Sequence, residues 1–318
     1  MSVRIDSLPS NNAQTQGAQR RILLRQQSPQ HLEECSTLIM DAVQRRPSST
    51  SPAILVLGAG ACTEVPLGGL VRNSDEVVLA DFDLPSLRKA CDELTSSALR
   101  RRMRLVECDI TGGVSQHLNR LLARQPWSTL VSQGPQAVFD AAAACLEQCP
   151  ILDPPELETI APNAYGLVIS SLVLSQLFSY PLLDVLDLVQ RIAPHMLGEQ
   201  ERHRRYQETA QSFRTRVIQA HFHLLSNVVD IGGLIVLLTD IRGFVFDVYG
   251  SDHDAEHRRS IPLVPRTLPD MVRHNFTILE ESHWEWLTDL PTKDKPGRGY
   301  EIAGYVLVSP TQDTAAPN

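Results

Sequence analysis

The sequence predicts an α/β chain built on a doubly wound, mostly parallel sheet of seven strands that closes with a terminal antiparallel pair. Three observations predict it. Short apolar runs such as Ile54 to Leu57, Glu76 to Ala80 and Gly166 to Ser170 have the length and composition of strands buried on both faces. Helical patterns separate them, the alternation expected of parallel strands joined by crossover helices. The first three strands also end in chemically useful residues: a turn of small residues, Gly58-Ala59-Gly60-Ala61-Cys62, then Asp81, then Asp109.

The elements follow in order. Met1 to about Gln19 is polar and reads as a disordered arm. Residues 20–51 form a helical N-terminal extension, with apolar positions at helical spacing in His31 to Arg45 and a linker, RRPSSTSP, after it. Strand one is Ile54 to Leu57, and a helix over Val65 to Val71 follows the glycine turn. Strand two is Glu76 to Ala80, and Leu84 to Leu99 reads as one amphipathic crossover helix. Strand three is Met103 to Cys108. Residues 111–163 are too long for an ordinary crossover, so they are read as a helical insertion with helices near Val114 to Arg124 and Gln136 to Gln148. Strand four is Gly166 to Ser170, helices follow over Leu182 to Ala193 and about Gln200 to Val228, and strand five is Gly233 to Thr239. Gly243 to Asp270 reads as irregular. Phe276 to Glu280 and Gly304 to Ser309 form the terminal pair, and residues 310–318 form a tail.

Composition sets the outer bounds. The chain has 318 residues, 42% of them hydrophobic and 21% charged, which is ordinary for a globular protein able to bury a sizeable core. A formal net charge of −8 argues against a nucleic-acid partner, which would call for a basic face. The arginine clusters at 100, 101, 102 and 104 and at 202, 204 and 205 are read as solvated helix ends. The six cysteines fall in helix and strand patterns with no secretory segment before them, so reduced thiols and a cytoplasmic location are expected. No apolar run is long enough to span a membrane. Cys145 with Cys149, His221 with His223, and Asp252-His253-Asp254 with His257 suggest metal ligands. Cys145 and Cys149 have no second pair at zinc-ligand spacing, the 252–257 cluster lies in a charged loop, and His221 and His223 diverge on a helix, so no metal is expected.

A nucleoside needs three things from such a sheet. Small residues at 58 to 61 let a ligand approach the backbone, a carboxylate at Asp81 can accept both ribose hydroxyls, and Asp109 with Ile110 can receive an adenine. Gly58-x-Gly60 followed by Asp81 also fits a nicotinamide-dependent oxidoreductase, although Thr63 stands where that fingerprint wants Gly or Ala.

The series LVLGAGAC, VVLADFD, VECDI and YGLVISSLVLSQL, in this order and spacing, resembles the class I S-adenosylmethionine-dependent methyltransferases, whose domain is Rossmann-like. The resemblance covers roughly residues 52–309. It implies S-adenosylmethionine as cofactor, with Gly58, Ala59, Gly60, Glu64, Asp81, Phe82, Asp109, Ile110, Ser170 and Ser171 around it. Three positions depart from the family's pattern. Val56 stands where an acid is common, Cys62 replaces the usual third glycine, and Asp83 rivals Asp81 for the ribose. Methyl transfer to a base loses support: no (N/D)PP(Y/F) ends strand four, Asp153-Pro154-Pro155-Glu156 precedes that strand, and Cys149-Pro150 reverses a Pro-Cys nucleophile. A small-molecule acceptor is therefore expected, with Gln176, Tyr180 and Tyr249 as candidate contacts and no catalytic residue identified. A methyltransferase-like domain that binds without turnover is the third reading.

Overall fold

A computed structural model describes residues 28–246, 258–291 and 295–310. The expected N-terminal arm, Tyr249, the 252–257 cluster and residues 311–318 lie outside the described residues. Helix α1, Pro29–Arg45, precedes the sheet. Then come β1 (Ile54–Leu57), α2 (Leu67–Arg72), β2 (Val77–Asp81), α3 (Leu84–Asp92), α4 (Ser97–Arg100) and β3 (Met103–Glu107). Three helices, α5 (Val114–Ala123), α6 (Trp127–Gln133) and α7 (Pro135–Gln148), separate β3 from β4 (Tyr165–Ser171). Beyond β4 lie α8 (Leu174–Ile192), a 3-10 segment (Pro194–Arg202), α9 (Arg204–Val228), β5 (Val229–Phe246), β6 (Arg259–Pro262), α10 (Leu268–Asn275), β7 (Thr277–Asp289) and β8 (Gly297–Val308).

The strand order is β3-β2-β1-β4-β5-β8-β7, and β6 pairs with β5 outside that path. Strands β1 to β5 pair in parallel, and β8 enters antiparallel between β5 and β7. This is the Rossmann-like, mostly parallel sheet with a terminal antiparallel pair that the sequence implied. A doubly wound dinucleotide fold has the order 3-2-1-4-5-6 instead. Both faces are covered, and the period-two alternation of the strands sorts their side chains between them. Leu55, Leu57, Val78, Ala80 and Val168 join one core with α5, α7, α8 and α9. Ile54, Val56, Val77, Leu79, Leu167 and Ile169 join the other with α1, α2 and α3.

Several elements differ from expectation, each for a local reason. The helix expected over Leu84 to Leu99 breaks after Asp92, because Ser96 caps a new turn by accepting from the Leu99 N–H. The terminal strands are much longer than their apolar cores. Strand β7 alternates exposed Glu281, His283 and Glu285 with inward Trp284 and Trp286, so its apolar residues form no continuous run. Residues expected to be irregular after Gly243 continue β5 to Phe246, add β6 and form α10. Nor are the arginines all solvated. Arg102 donates to Val71 O and Ser74 O, while Arg104 reaches Glu76, Thr159 O and Tyr165 Oη.

Helix α1 is tied to the terminal pair. The Trp284 Nε1–H donates to His31 Nδ1 at 2.9 Å, and the His31 ring stacks on Trp286 with centroids 4.5 Å apart. Accepting at Nδ1 requires a neutral imidazole, and burial lowers the His31 pKa to about 4, so that form is secure at neutral pH. Arg45 pairs with Glu280 near the other end of the helix. Among the described residues no helix is long and apolar enough to cross a membrane.

Candidate functional site

The carboxyl ends of β1, β2 and β3 lie side by side, and doubly wound sheets bind ligands at this edge. After β1 the chain turns through Gly58 at φ 66° and Gly60 at φ 47°, left-handed values that glycine adopts without strain. The two glycines do different work. A Cβ on Gly58 would lie 2.4 Å from Val173 Cβ, so the first glycine lets the loop pack on the segment leaving β4. A Cβ on Gly60 would meet only Asp81 Oδ2, at 4.0 Å, so the second leaves open space over the loop. Cys62, where a third glycine is usual, takes φ 51°.

Asp81, the last residue of β2, binds this loop directly. Its Oδ2 accepts the Gly60 N–H at 2.9 Å and its Oδ1 accepts the Asp83 N–H at 2.9 Å. Burial raises the Asp81 pKa and these two N–H donors oppose the rise. A carboxylate has about four lone-pair sites, more than the backbone N–H groups of Gly60, Phe82 and Asp83 occupy, so Asp81 can still accept from a ligand hydroxyl. Asp83 is committed elsewhere: its carboxylate accepts from the Ser86 N–H and hydroxyl, capping α3. Of the two acids, Asp81 therefore faces the loop.

Phe82 lies beside this carboxylate and is 67% exposed, a large aromatic face with no structural burial to justify it. After β3, Asp109 Oδ1 accepts from the Thr111 N–H and hydroxyl, at 2.8 and 2.6 Å, which shapes the turn carrying buried Ile110. The fit to a nucleoside thus rests on four observations: the open face of Gly60, the spare lone pairs of Asp81, the exposed Phe82 ring, and the ordered turn at Asp109. Ala59 is buried beneath the loop. Glu64 is turned far enough toward α1 that its charge helps burial push the Cys35 thiol up.

The candidates on the β4 side are distributed differently. Ser170 is fully buried and hydrogen-bonds His221 Nε2 at 2.9 Å in the core beneath α9, while Ser171 is nearly buried. Gln176 donates to Leu172 O and accepts from the Tyr180 hydroxyl, and Tyr180 is 52% exposed. Leu172 takes φ 50°, a left-handed value in a non-glycine residue, and its N–H donates to Leu238 O at 3.0 Å. The turn out of β4 is thus held against the end of β5.

Sequence reasoning weighed one residue here only as a metal ligand and missed another. His221 is buried with Nδ1 unpartnered, and burial lowers its pKa to about 4. Its i and i+2 partner His223 points elsewhere and hydrogen-bonds Asp153, which separates the two as potential ligands. Asp240 lies two residues beyond Leu238, with Oδ1 buried and unpartnered. A signal existed for it: Leu237-Leu238-Thr239-Asp240 is an apolar strand closed by an acid, like the ends of β2 and β3.

No protein-family model matches the chain, and no curated protein matches it in sequence. Solved structures do align with it. The glycopeptide N-methyltransferase MtfA complexed with S-adenosyl-L-methionine is 12% identical, over 87% of this chain and 94% of that one, with a TM-score of 0.37. A putative RNA methyltransferase, PH1948 from Pyrococcus horikoshii, is 8% identical over 87% and 83%, with a TM-score of 0.39. The cyclase SpnF is 12% identical over 83% and 79%, with a TM-score of 0.35. At scores this low the alignments say nothing about chemistry; the strand order and the residues at its edge supply the functional argument.

Proposed function

We propose that the protein is an S-adenosylmethionine-dependent methyltransferase acting on a small molecule. The observation that carries this reading is Asp81 at the end of β2 bound to the Gly60 amide, in a sheet whose β8 runs antiparallel between β5 and β7. In this reading Asp81 receives the ribose hydroxyls, Phe82 and Ile110 flank the adenine, and Asp109 orders the turn behind it. The open backbone at Gly60 admits the ligand close to the loop. When bound, S-adenosylmethionine supplies an activated methyl group on a sulfonium, so the chain's tasks are to position the acceptor and exclude water. The small-molecule acceptor is supported by the net charge of −8 and by the missing base-methylation motifs.

Calorimetry with S-adenosylhomocysteine and with NADH tests the cofactor. Asp81→Ala is a poor probe, because it removes the bond to the Gly60 N–H that holds the loop. Phe82→Ala is better, since the exposed ring supports nothing else. Expected are S-adenosylhomocysteine binding by the wild type, about tenfold weaker binding by Phe82→Ala, and no NADH binding. NADH binding without S-adenosylhomocysteine binding would replace this reading with the oxidoreductase one. Tight S-adenosylhomocysteine binding with no methyl transfer to any small-molecule pool would favour a binding module.

A further inference from the structure

Asp240 occupies a distinctive position. It lies two residues past Leu238, the last residue of β5 in parallel register with β4, and β5 lies two places from β1 in the sheet, so two strand spacings, about 10 Å, separate the ends of these strands along one edge. Directly opposite it on β8 is Ile302, and Trp284 continues the same row on β7. Ile302 and Trp284 belong to the core beneath α1, which places Asp240 on that face, while its neighbour Ile241 packs on the other. The strained Leu172 turn abuts it through the bond to Leu238 O, and the Ser175 hydroxyl of α8 lies within hydrogen-bonding reach.

What Asp240 lacks is a partner for Oδ1, which is buried and makes no hydrogen bond. No charged side chain is prominent among the influences on it, and the nearest rung, Arg242 with Glu301, is closed on itself as an ion pair. The Ser175 hydroxyl and the Asp240 backbone N–H offset only part of the cost of burying this carboxylate, and an oxygen that accepts no hydrogen bond and meets no cation calls for an explanation outside the free chain. Desolvation raises its pKa to about 6, close to the range where a carboxylate can take and return a proton at neutral pH.

We infer that Asp240 is the acceptor-side carboxylate of the site, its Oδ1 receiving the O–H or N–H of a neutral or cationic small-molecule acceptor and taking that proton during transfer. The inference rests on the methyltransferase reading above. In the step, the acceptor's heteroatom lone pair forms the new bond to the methyl carbon and the methyl–sulfur bond breaks. The bonding pair stays on sulfur, leaving a neutral thioether, and the acceptor's proton passes to Asp240. An anionic acceptor would be repelled by this carboxylate.

The test uses the full chain, as wild type and Asp240→Asn, which keeps the side chain's shape. Each is titrated with S-adenosylhomocysteine by calorimetry. Each is then supplied with S-adenosylmethionine and chromatographic fractions of a small-metabolite extract, and released S-adenosylhomocysteine is measured. In parallel, the carbon-13 carboxyl signal of Asp240, assigned by its loss in the variant, is followed as fractions are added to the S-adenosylhomocysteine complex. Expected are equal S-adenosylhomocysteine affinity, at least a hundredfold slower transfer in Asp240→Asn, and a shift of the Asp240 signal with the fraction that supports transfer. Transfer within threefold of wild type in Asp240→Asn overturns the inference, as does a wild type that binds S-adenosylhomocysteine while no fraction moves the signal or supports transfer. Failure of the wild type to bind S-adenosylhomocysteine overturns the methyltransferase reading itself, a separate result.

Discussion

The two halves of the sheet's carboxyl edge differ in how their polar groups are satisfied. On the β1–β3 side three acids have local partners: Asp81 holds the loop, Asp83 caps α3 and Asp109 shapes its turn. On the β4–β5 side buried polar atoms stand alone, Asp240 Oδ1 on one face and His221 Nδ1 on the other. The acids of the first half are engaged within the chain, whereas in the second Asp240 Oδ1 accepts no hydrogen bond. In the proposed function the first half would meet the cofactor with a prebuilt cradle, and the acceptor would complete the second.

Four substitutions would break or sharpen that contrast. The largest effect is expected from Gly58→Ala, which adds a Cβ against Val173 and forces a left-handed φ on a branched backbone. It should destabilise the fold by roughly 3 kcal/mol, read as a lower denaturation midpoint. A smaller loss than 1 kcal/mol would mean that the loop is not packed on the β4 exit.

Next is Asp240→Asn, which should stabilise. Burial raises the Asp240 pKa from 3.8 to about 6, so the folded state binds this proton more tightly than the unfolded chain. The resulting penalty is absent below about pH 4, grows as pH rises toward 6 and is complete above it. The facing groups are Ser175 of α8 and Ile302 of β8, neither of which titrates in this range, with the closed Arg242–Glu301 pair beside them. Thermal unfolding should show a gain of roughly 3 kcal/mol at pH 8 and little at pH 4. A loss of stability at pH 8 would make Asp240 a structural residue like Asp81.

Ser170→Ala leaves buried His221 without its one hydrogen bond and should cost about 1–2 kcal/mol in urea unfolding, with S-adenosylhomocysteine affinity unchanged. Altered affinity would show that Ser170 belongs to the cofactor half after all. Smallest in stability is Phe82→Ala, within about 0.5 kcal/mol because the ring is exposed, while its S-adenosylhomocysteine affinity falls about tenfold. Equal affinity would remove the adenine wall from the cradle.

Much of the fold was legible in the chain because parallel strands buried on both faces must be apolar throughout, as Ile54–Leu57 and Val77–Ala80 are. The long β7 was not, since its outward glutamates interrupt the apolar pattern while Trp284 and Trp286 alone mark its inner face. At the site, Gly58, Gly60 and Asp81 were legible because a tight turn and a strand-end acid are local chemistry. The choice between Asp81 and Asp83 was not, because hydrogen-bond partners decide it.

The sequence by itself determined the strand-turn-helix alternation, the glycine turn and the acids that end β2 and β3, all set by residue type over a few neighbouring positions. Tertiary structure decided that Ser170 turns inward to His221, that α1 is tied through His31 to Trp284, and that Asp240 is left with an unpartnered oxygen. These depend on residues dozens to hundreds of positions apart, brought together only when the sheet assembles, and no local pattern encodes which side chain a buried polar atom will meet.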